Sequence, residues 1–295
     1  ETGTCSAIAG ILKAPMDIIA DKLRGYLGLV DDLFNRRDKV IAACEALAPH
    51  LLNVAITSGD PTGTVPVGFW MHRGGVPFVS YEIFENIYWA TLKPVIQELW
   101  ANGRQTLFYA EGNWDYHLQT FRELPDQSIV YHVDQGNIFK VHEALGDKFC
   151  LSGGIPNTLL AMGTEQEVRE YCRRVIEGVA GNGGYIMDAS AIVQNDARPE
   201  NIRAMTEATR EYGVYSQGHA EMQSGGPKPL EADATPGLFI PNSPNGHLPP
   251  GQCTPWSAER AKLGQDIGDE QVCQNTWQNM DAMANMFIWQ MLLSF

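Results

Sequence analysis

The sequence predicts an α/β fold built as a (β/α)8 TIM barrel. Short apolar runs alternate with amphipathic helical runs, and those apolar runs are hydrophobic on both faces. Strands too apolar to be half-exposed belong in a parallel sheet covered by helices. Polar groups of catalytic type also fall where the runs end: His72, Glu111, His132, Asp134, Cys150, Ser152 and Asp188. In a barrel, that end of the strands is the active-site face.

Each element has its own signal. The run 4-TCSAIAGIL-12 reads as a short buried strand, and 16–50 carries helical spacing with charges on one side. The run 65-VPVGFWMHR-73 is a second strand, punctuated by Gly75 and Pro77, and 81–103 is helical. Next come strand 105-QTLFYAE-111, a helix near 115–124, strand 128-SIVYHVD-134, a short helix near 137–146 and strand 148-KFCLSGG-154. The helix over 164–181 opens on a capping box, Thr164 with Glu167, and closes at Gly181. A strand at 184-GYIMDAS-190 leads to a helix at 198–213 with Pro199 in its first turn.

Six strand–helix units fill residues 1–215, two short of a full barrel, and the expectation is that the chain begins inside a larger domain. Residues 216–256 are rich in Gly and Pro without a period, which predicts a long loop or lid. Residues 257–295 predict a helical segment packing on the barrel, its Met and Trp stripe serving as core.

The formal charge of −14 and pI near 4.9 disfavour nucleic acid or an anionic membrane as partner. No uninterrupted apolar run of about eighteen residues predicts a bilayer span, and ETGTCSAIAG lacks the pattern of a signal peptide. Six scattered cysteines without CxxC fit reduced thiols in a cytoplasmic protein. Phosphate-loop, dinucleotide, GxSxG and HExxH signatures are missing from the sequence.

Glu111, His132 and Cys150 each end or nearly end a successive strand, so in a barrel they can converge above the sheet. A carboxylate, an imidazole and a thiolate are acceptable zinc ligands that leave a fourth position open to substrate. His117, Asp115, Asp134, Asp188 and Ser190 compete for ligand or supporting roles. Asp134 lies two residues beyond His132 on the same strand face and suits acid/base work, while His72 with Arg73 suits an anionic substrate group.

The run 150-CLSGGIPNTLLAMGTEQEVREYCRRVIEGVAGNGGYIMDASAIVQNDARPENIRAMTEATREYG-213 resembles the uroporphyrinogen decarboxylase superfamily. It is similar in particular to the cobalamin-dependent methyltransferase branch, in which a strand ending in Gly precedes a "GT-x-EEV" helix and "GYI" leads to "PEN" and "REYG". The likeness extends back through 80-SYEIFENIYWATLKPVIQELWANG-103. It implies a (β/α)8 barrel of the uroporphyrinogen decarboxylase type whose first strands lie outside this chain. Thiol-directed members hold zinc with a His-x-Cys pair and a later Cys; 110-AEGN-113 and 187-MDAS-190 stand there instead. The resemblance is therefore to the methyltransferase I components of anaerobic O-demethylases, which use a mixed Glu, His and Cys set.

What the resemblance implies is a Zn2+ held by Glu111, His132 and Cys150, acting as Lewis acid on an ether oxygen. The methyl group of a small-molecule methyl ether of aromatic type would pass to the Co(I) of a separate corrinoid protein. Asp134 and His72 would manage protons, with Arg73, Trp70, Phe78, Trp114 and Asp188 toward the substrate, the aromatics stacking on its ring. The rivals are a metal-free decarboxylase of the same family, using Asp134, His72 and Arg73, and a non-catalytic barrel binding protein. Oligomeric state stays open, a homodimer included.

Overall fold

The computed structural model describes residues 7–214, 256–264 and 267–293. Six parallel strands form one sheet in chain order, β1 (Ile11–Lys13), β2 (Val67–Met71), β3 (Thr106–Ala110), β4 (Ile129–Val133), β5 (Cys150–Gly153) and β6 (Tyr185–Ile186). Each strand pairs only with its neighbours in chain order, so the sheet winds in one direction as a barrel wall does. Apolar, β-branched and aromatic residues make these strands, and β2, β3 and β4 are buried throughout, as strands covered on both faces must be.

Helices cover the outer face. The segment after β1 comprises α1 (Pro15–Ile18), a π-helical turn at Ile19–Leu23, α2 (Tyr26–Asn35) and α3 (Arg37–Ser58). After β2 come α4 (Tyr81–Ile83), a π-helical stretch at Phe84–Trp89 and α5 (Ala90–Ala101). A 3-10 turn at Asp115–His117 leads into α6 (Leu118–Phe121), and α7 (Ile138–Leu145), α8 (Asn157–Met162), α9 (Glu165–Val179) and α10 (Pro199–Tyr212) complete the first part. Two further helices, α11 (Trp256–Arg260) and α12 (Glu270–Leu293), follow, and α12 touches α3 and β1.

Most predicted elements are present with shifts at their ends. The first strand lies at Ile11–Lys13, later than the run 4–12, and the last is only Tyr185–Ile186 where 184–190 was expected. The short helix α8 was not predicted, because six residues are too few for a helical period to show. The expected loop or lid at 216–256 lies outside the described residues, apart from its last residue, Trp256, which opens α11. Among the described residues, one helix segment, Arg37–Thr57, is long and apolar enough by length and composition to cross a membrane. Its apolar residues Val40, Cys44, Leu51, Leu52, Val54 and Ala55 are buried in the protein core.

The outer core joins the sheet to these helices through Phe69, Phe108, Tyr131 and Leu151 on the strands and Phe84, Leu92, Ile96, Phe121 and Val175 on the helices. Full burial of side chains of this size contributes roughly 1.5–3 kcal/mol each. The inner face holds a separate cluster of Trp70, Leu107, Tyr109 and Val130, with Ile8, Ile11 and Cys150 against it.

Pairing register sorts the inner face into layers. Ile11, Gly68, Leu107, Val130 and Cys150 stand at one height, and Lys13, Trp70, Tyr109, His132 and Ser152 at the next. Continuing the alternation past the last paired residues puts His72, Glu111 and Asp134 in a third layer, at the mouth.

The capping box of α9 is present as expected. The Thr164 hydroxyl accepts from the Glu167 N–H, and the Glu167 carboxylate accepts from the Thr164 N–H at 2.8 Å. Replacing Thr164 with Ala is expected to cost about 1 kcal/mol, measured as a shift of the urea unfolding midpoint at unchanged slope.

Candidate functional site

Two clusters occupy the C-terminal ends of the strands. The first gathers around Asp21, which the π-helical turn after α1 carries toward the end of β2. Asp21 Oδ2 accepts from Lys13 Nζ at 2.8 Å and lies 2.9 Å from His72 Nδ1, and Asp21 Oδ1 accepts from Arg73 Nε at 3.2 Å. The other imidazole nitrogen, His72 Nε2, lies 3.0 Å from Glu111 Oε2. Beneath them Asp17 is fully buried and accepts the backbone N–H groups of His72 (3.0 Å) and Arg73 (2.6 Å) and the Tyr88 hydroxyl (2.7 Å). Asp17 thereby fixes the chain at the very point where the two cationic side chains leave it.

The electrostatics follow from these contacts. Burial works to raise Asp21, but the bonds from Lys13, His72 and Arg73 prevail and hold it at about 2. Burial works to lower His72, yet its bonds to Glu111 and Asp21 raise it above the ordinary histidine value. The bond to His72 lowers Glu111 against opposing burial. Burial raises Asp17 despite its three hydrogen bonds. His72 lies between two carboxylates, with Lys13 Nζ also 2.9 Å from its Nδ1, and the two carboxylates favour its protonated form over that of an ordinary histidine.

The second cluster surrounds His132, which is buried. Its Nε2 lies 2.9 Å from the Ser190 carbonyl, which only accepts, so Nε2 carries the proton and Nδ1 accepts from the Ser152 hydroxyl at 2.8 Å. The Tyr109 ring stacks on the imidazole at 4.5 Å, and the Trp70 ring stacks on Tyr109 at 4.7 Å. Burial lowers His132, outweighing Asp188 at 3.9 Å, so the ring is neutral. Gly153 makes room for it: φ is +84°, and a Cβ would come within 2.6 Å of the Val133 carbonyl and 3.0 Å of His132 Cε1.

The expected ligands Glu111, His132 and Cys150 do not come together. All three face inward, but they occupy three different layers. Cys150 opens β5 instead of ending it, paired with Val130, roughly 13 Å of strand length below the Glu111 layer at about 3.3 Å per residue. It packs among Trp70, Leu107, Tyr109 and Val130, and burial pushes its thiol up to about 11. Both nitrogens of His132 are committed to Ser152 and Ser190, and Glu111 is committed to His72. Among the described residues, no group of three or more His, Cys, Asp or Glu side chains is arranged to hold a metal. The residues expected to hold zinc therefore do not fit it.

The other expected site residues divide. His72, Arg73 and Glu111 meet at the mouth, and Asp134 accepts the Gly112 N–H at 2.7 Å, its carboxyl raised by burial and by Glu111. Asp188 is exposed at the end of β6. Phe78 lies under the Arg73 guanidinium, 4.8 Å from its ring centroid. Trp70 belongs to the inner ring stack.

Trp114 does not line the mouth. It is 1% exposed on the helix side among Phe84, Tyr88 and Phe121, because Gly112 at φ +91° turns the chain and the indole N–H bonds back to the Glu111 carbonyl. His117 is buried there too, 3.7 Å from the Phe84 ring, and burial lowers it to about 4. Asp115 pairs with Lys140.

Sequence reasoning missed Lys13, Asp17, Asp21 and Tyr109. Lys13 carried a usable signal, a lone cation ending an apolar strand. Asp21 carried none, because it sits in a π-helical turn that a 3.6-residue period does not describe.

Three comparisons bear on the chain. The family model described as Uroporphyrinogen decarboxylase (URO-D) matches residues 3–212. No curated protein matches. Among solved structures the chain is similar to a methyltransferase from Methanosarcina mazei, with a TM-score of 0.57 at 16% sequence identity. The match covers 72% of this chain and 61% of that one, so this chain spans less than two thirds of that protein's length. At that identity the likeness is one of fold.

The cluster sets a pH window. His72 is raised, so its contribution to stability is fully present below pH 6.5 and lost as pH rises through its folded pKa. Asp21 and Glu111 are lowered; their contributions are present above their ordinary values, 3.8 and 4.5, and lost as pH falls through the folded ones. The stabilising effect of these three groups is thus greatest between pH 4.5 and 6.5. Glu111→Gln is expected to move the His72 Hε1 titration, followed by NMR, to lower pH; an unmoved titration would show that the pair does not form. Metal analysis on protein purified without chelator should show no loss of any bound zinc in Cys150→Ala, and a loss shared by Glu111→Ala, His132→Ala and Cys150→Ala would contradict the layered arrangement.

Proposed function

The chain belongs to the uroporphyrinogen decarboxylase family, and on that premise we propose that it is a methyltransferase acting at the mouth of the barrel. It removes a methyl group from the oxygen of a small-molecule methyl ether, of aromatic type, and delivers it to a corrinoid carried by a partner protein. The shared fold with the Methanosarcina mazei methyltransferase supports this reading. The observation that carries it is His72, held between Asp21 and Glu111 where the strands end, its pKa raised by both.

When the methyl–oxygen bond breaks, its electron pair stays on the oxygen, which then needs a proton or a Lewis acid. The Co(I) corrinoid supplies the electron pair that takes the methyl group. His72 Nε2 supplies the proton, its ring oriented by the Asp21 bond at Nδ1. Glu111, half-exposed, yields its place on Nε2 to the ether oxygen and afterwards relays a solvent proton back to the ring. Lys13 and Arg73 keep Asp21 ionised, so that Asp21 stabilises the imidazolium without itself taking the proton. No step runs through zinc, since the three expected ligands lie at three heights.

A second reading is favoured by the convergence of Lys13, His72 and Arg73 on one carboxylate. His72 and Arg73 at the mouth, with Lys13 beneath them, suit a carboxylic acid substrate, with His72 protonating the carbanion left after CO2 loss.

Incubation with methoxylated aromatics and a corrinoid held as Co(I) separates the two. Methyl transfer, seen in the visible spectrum of the corrinoid, is expected for the protein and reduced about 10²–10⁴-fold in His72→Gln. Release of CO2 from an aromatic acid without methyl transfer would put the decarboxylase first.

A further inference from the structure

Arg73 stands beside the proton donor and helps keep Asp21 ionised, but it does not itself carry the transferred proton. Its Nε is committed to Asp21 Oδ1 at 3.2 Å, the carboxylate whose other oxygen holds His72. Its guanidinium carbon lies 4.8 Å from the Phe78 ring centroid and 5.5 Å from that of Tyr26. Those two rings meet edge to face at 5.6 Å, and the Tyr26 hydroxyl donates to the Phe78 carbonyl at 3.0 Å. One salt bridge and two aromatic walls therefore fix the guanidinium.

Its terminal nitrogens make no hydrogen bond among the described residues, and the side chain is 31% exposed. Glu111 feels the Arg73 charge but bonds to His72. From Arg73, Asp17 receives only the backbone N–H. A planar pair of N–H donors, already oriented and without an acceptor, is the geometry that takes a carboxylate in two parallel bonds.

We infer that Arg73 is the anchor for a carboxylate on the substrate, which makes the molecule accepted at this mouth an organic acid. The inference rests on reading the mouth as the substrate site. Because Asp21 holds Arg73 and His72 at once, an acid gripped by Arg73 has its reacting atom brought to a set distance from His72 Nε2. Arg73 acts on specificity and His72 on chemistry, and one carboxylate ties them together.

Isothermal titration tests this without turnover, using acetate, benzoate and 4-methoxybenzoate beside the corresponding amides. At least one acid is expected to bind 10- to 100-fold more tightly than its amide, in keeping with roughly 1.5–3 kcal/mol for hydrogen bonds to a charged group. Arg73→Gln should erase that preference, and Arg73→Lys, which keeps the charge without the fork, should retain part of it. Equal binding of acids and amides by the wild-type protein would overturn the inference, as would no binding of any acid, or a preference that survives in Arg73→Gln. Acid binding that depends on Arg73 together with failure of methyl transfer would overturn the methyltransferase reading and leave the anchor standing.

Discussion

Hydrogen-bond register between parallel strands decides what this mouth contains. Side chains alternate along each strand, so the pleat selects which residues face inward, while the pairing of one strand with the next sets their height. Lys13, Trp70, Tyr109, His132 and Ser152 share a height because their strands pair there. That layer is closed by ring stacking and by the committed bonds of His132, and it forms the floor on which His72, Glu111 and Asp134 stand.

The two histidines show how burial and partners divide one residue type into two roles. His132 is held between the Ser152 hydroxyl and the Ser190 carbonyl against the Tyr109 ring, and the lost hydration outweighs the pull of Asp188 and keeps it uncharged. His72 meets two carboxylates, whose attraction exceeds the cost of partial burial. Ser190 fixes the tautomer of the first through a backbone carbonyl, which ties the β6 loop to β4 and leaves no nitrogen for a metal. The second keeps a carboxylate partner that is half in water and can be displaced.

Asp17 and Asp21 complete the comparison between two neighbouring acids. Asp17 is sealed beneath the cluster, bonded to backbone N–H groups and Tyr88, and so acts on where His72 and Arg73 leave the chain. Asp21 faces three cationic side chains and remains ionised at any ordinary pH. Burial opposes ionisation in both, and the side-chain cations on Asp21 reverse its sign. Asp17 lies in α1 and Asp21 in the π-helical turn that follows it, so one short segment presents both acids to the end of β2.

By itself the sequence determined the class of fold, the alternation of elements, the capping box at Thr164 and the inward parity of Glu111, His132, Asp134 and Cys150. These depend on local periodicity and on residues a few positions apart. It also placed His72 and Arg73 together, since they are adjacent in the chain. Only the tertiary structure decided that Cys150 stands at the bottom of β5 and Glu111 at the top of β3, because register is a property of two strands and not of one. It alone turned Trp114 into the outer core after Gly112 and brought Asp21 of the preceding unit against His72 and Arg73. Parity can be counted along one strand, whereas height and partnership require the neighbouring strand, and the chemistry of this mouth lies in height and partnership.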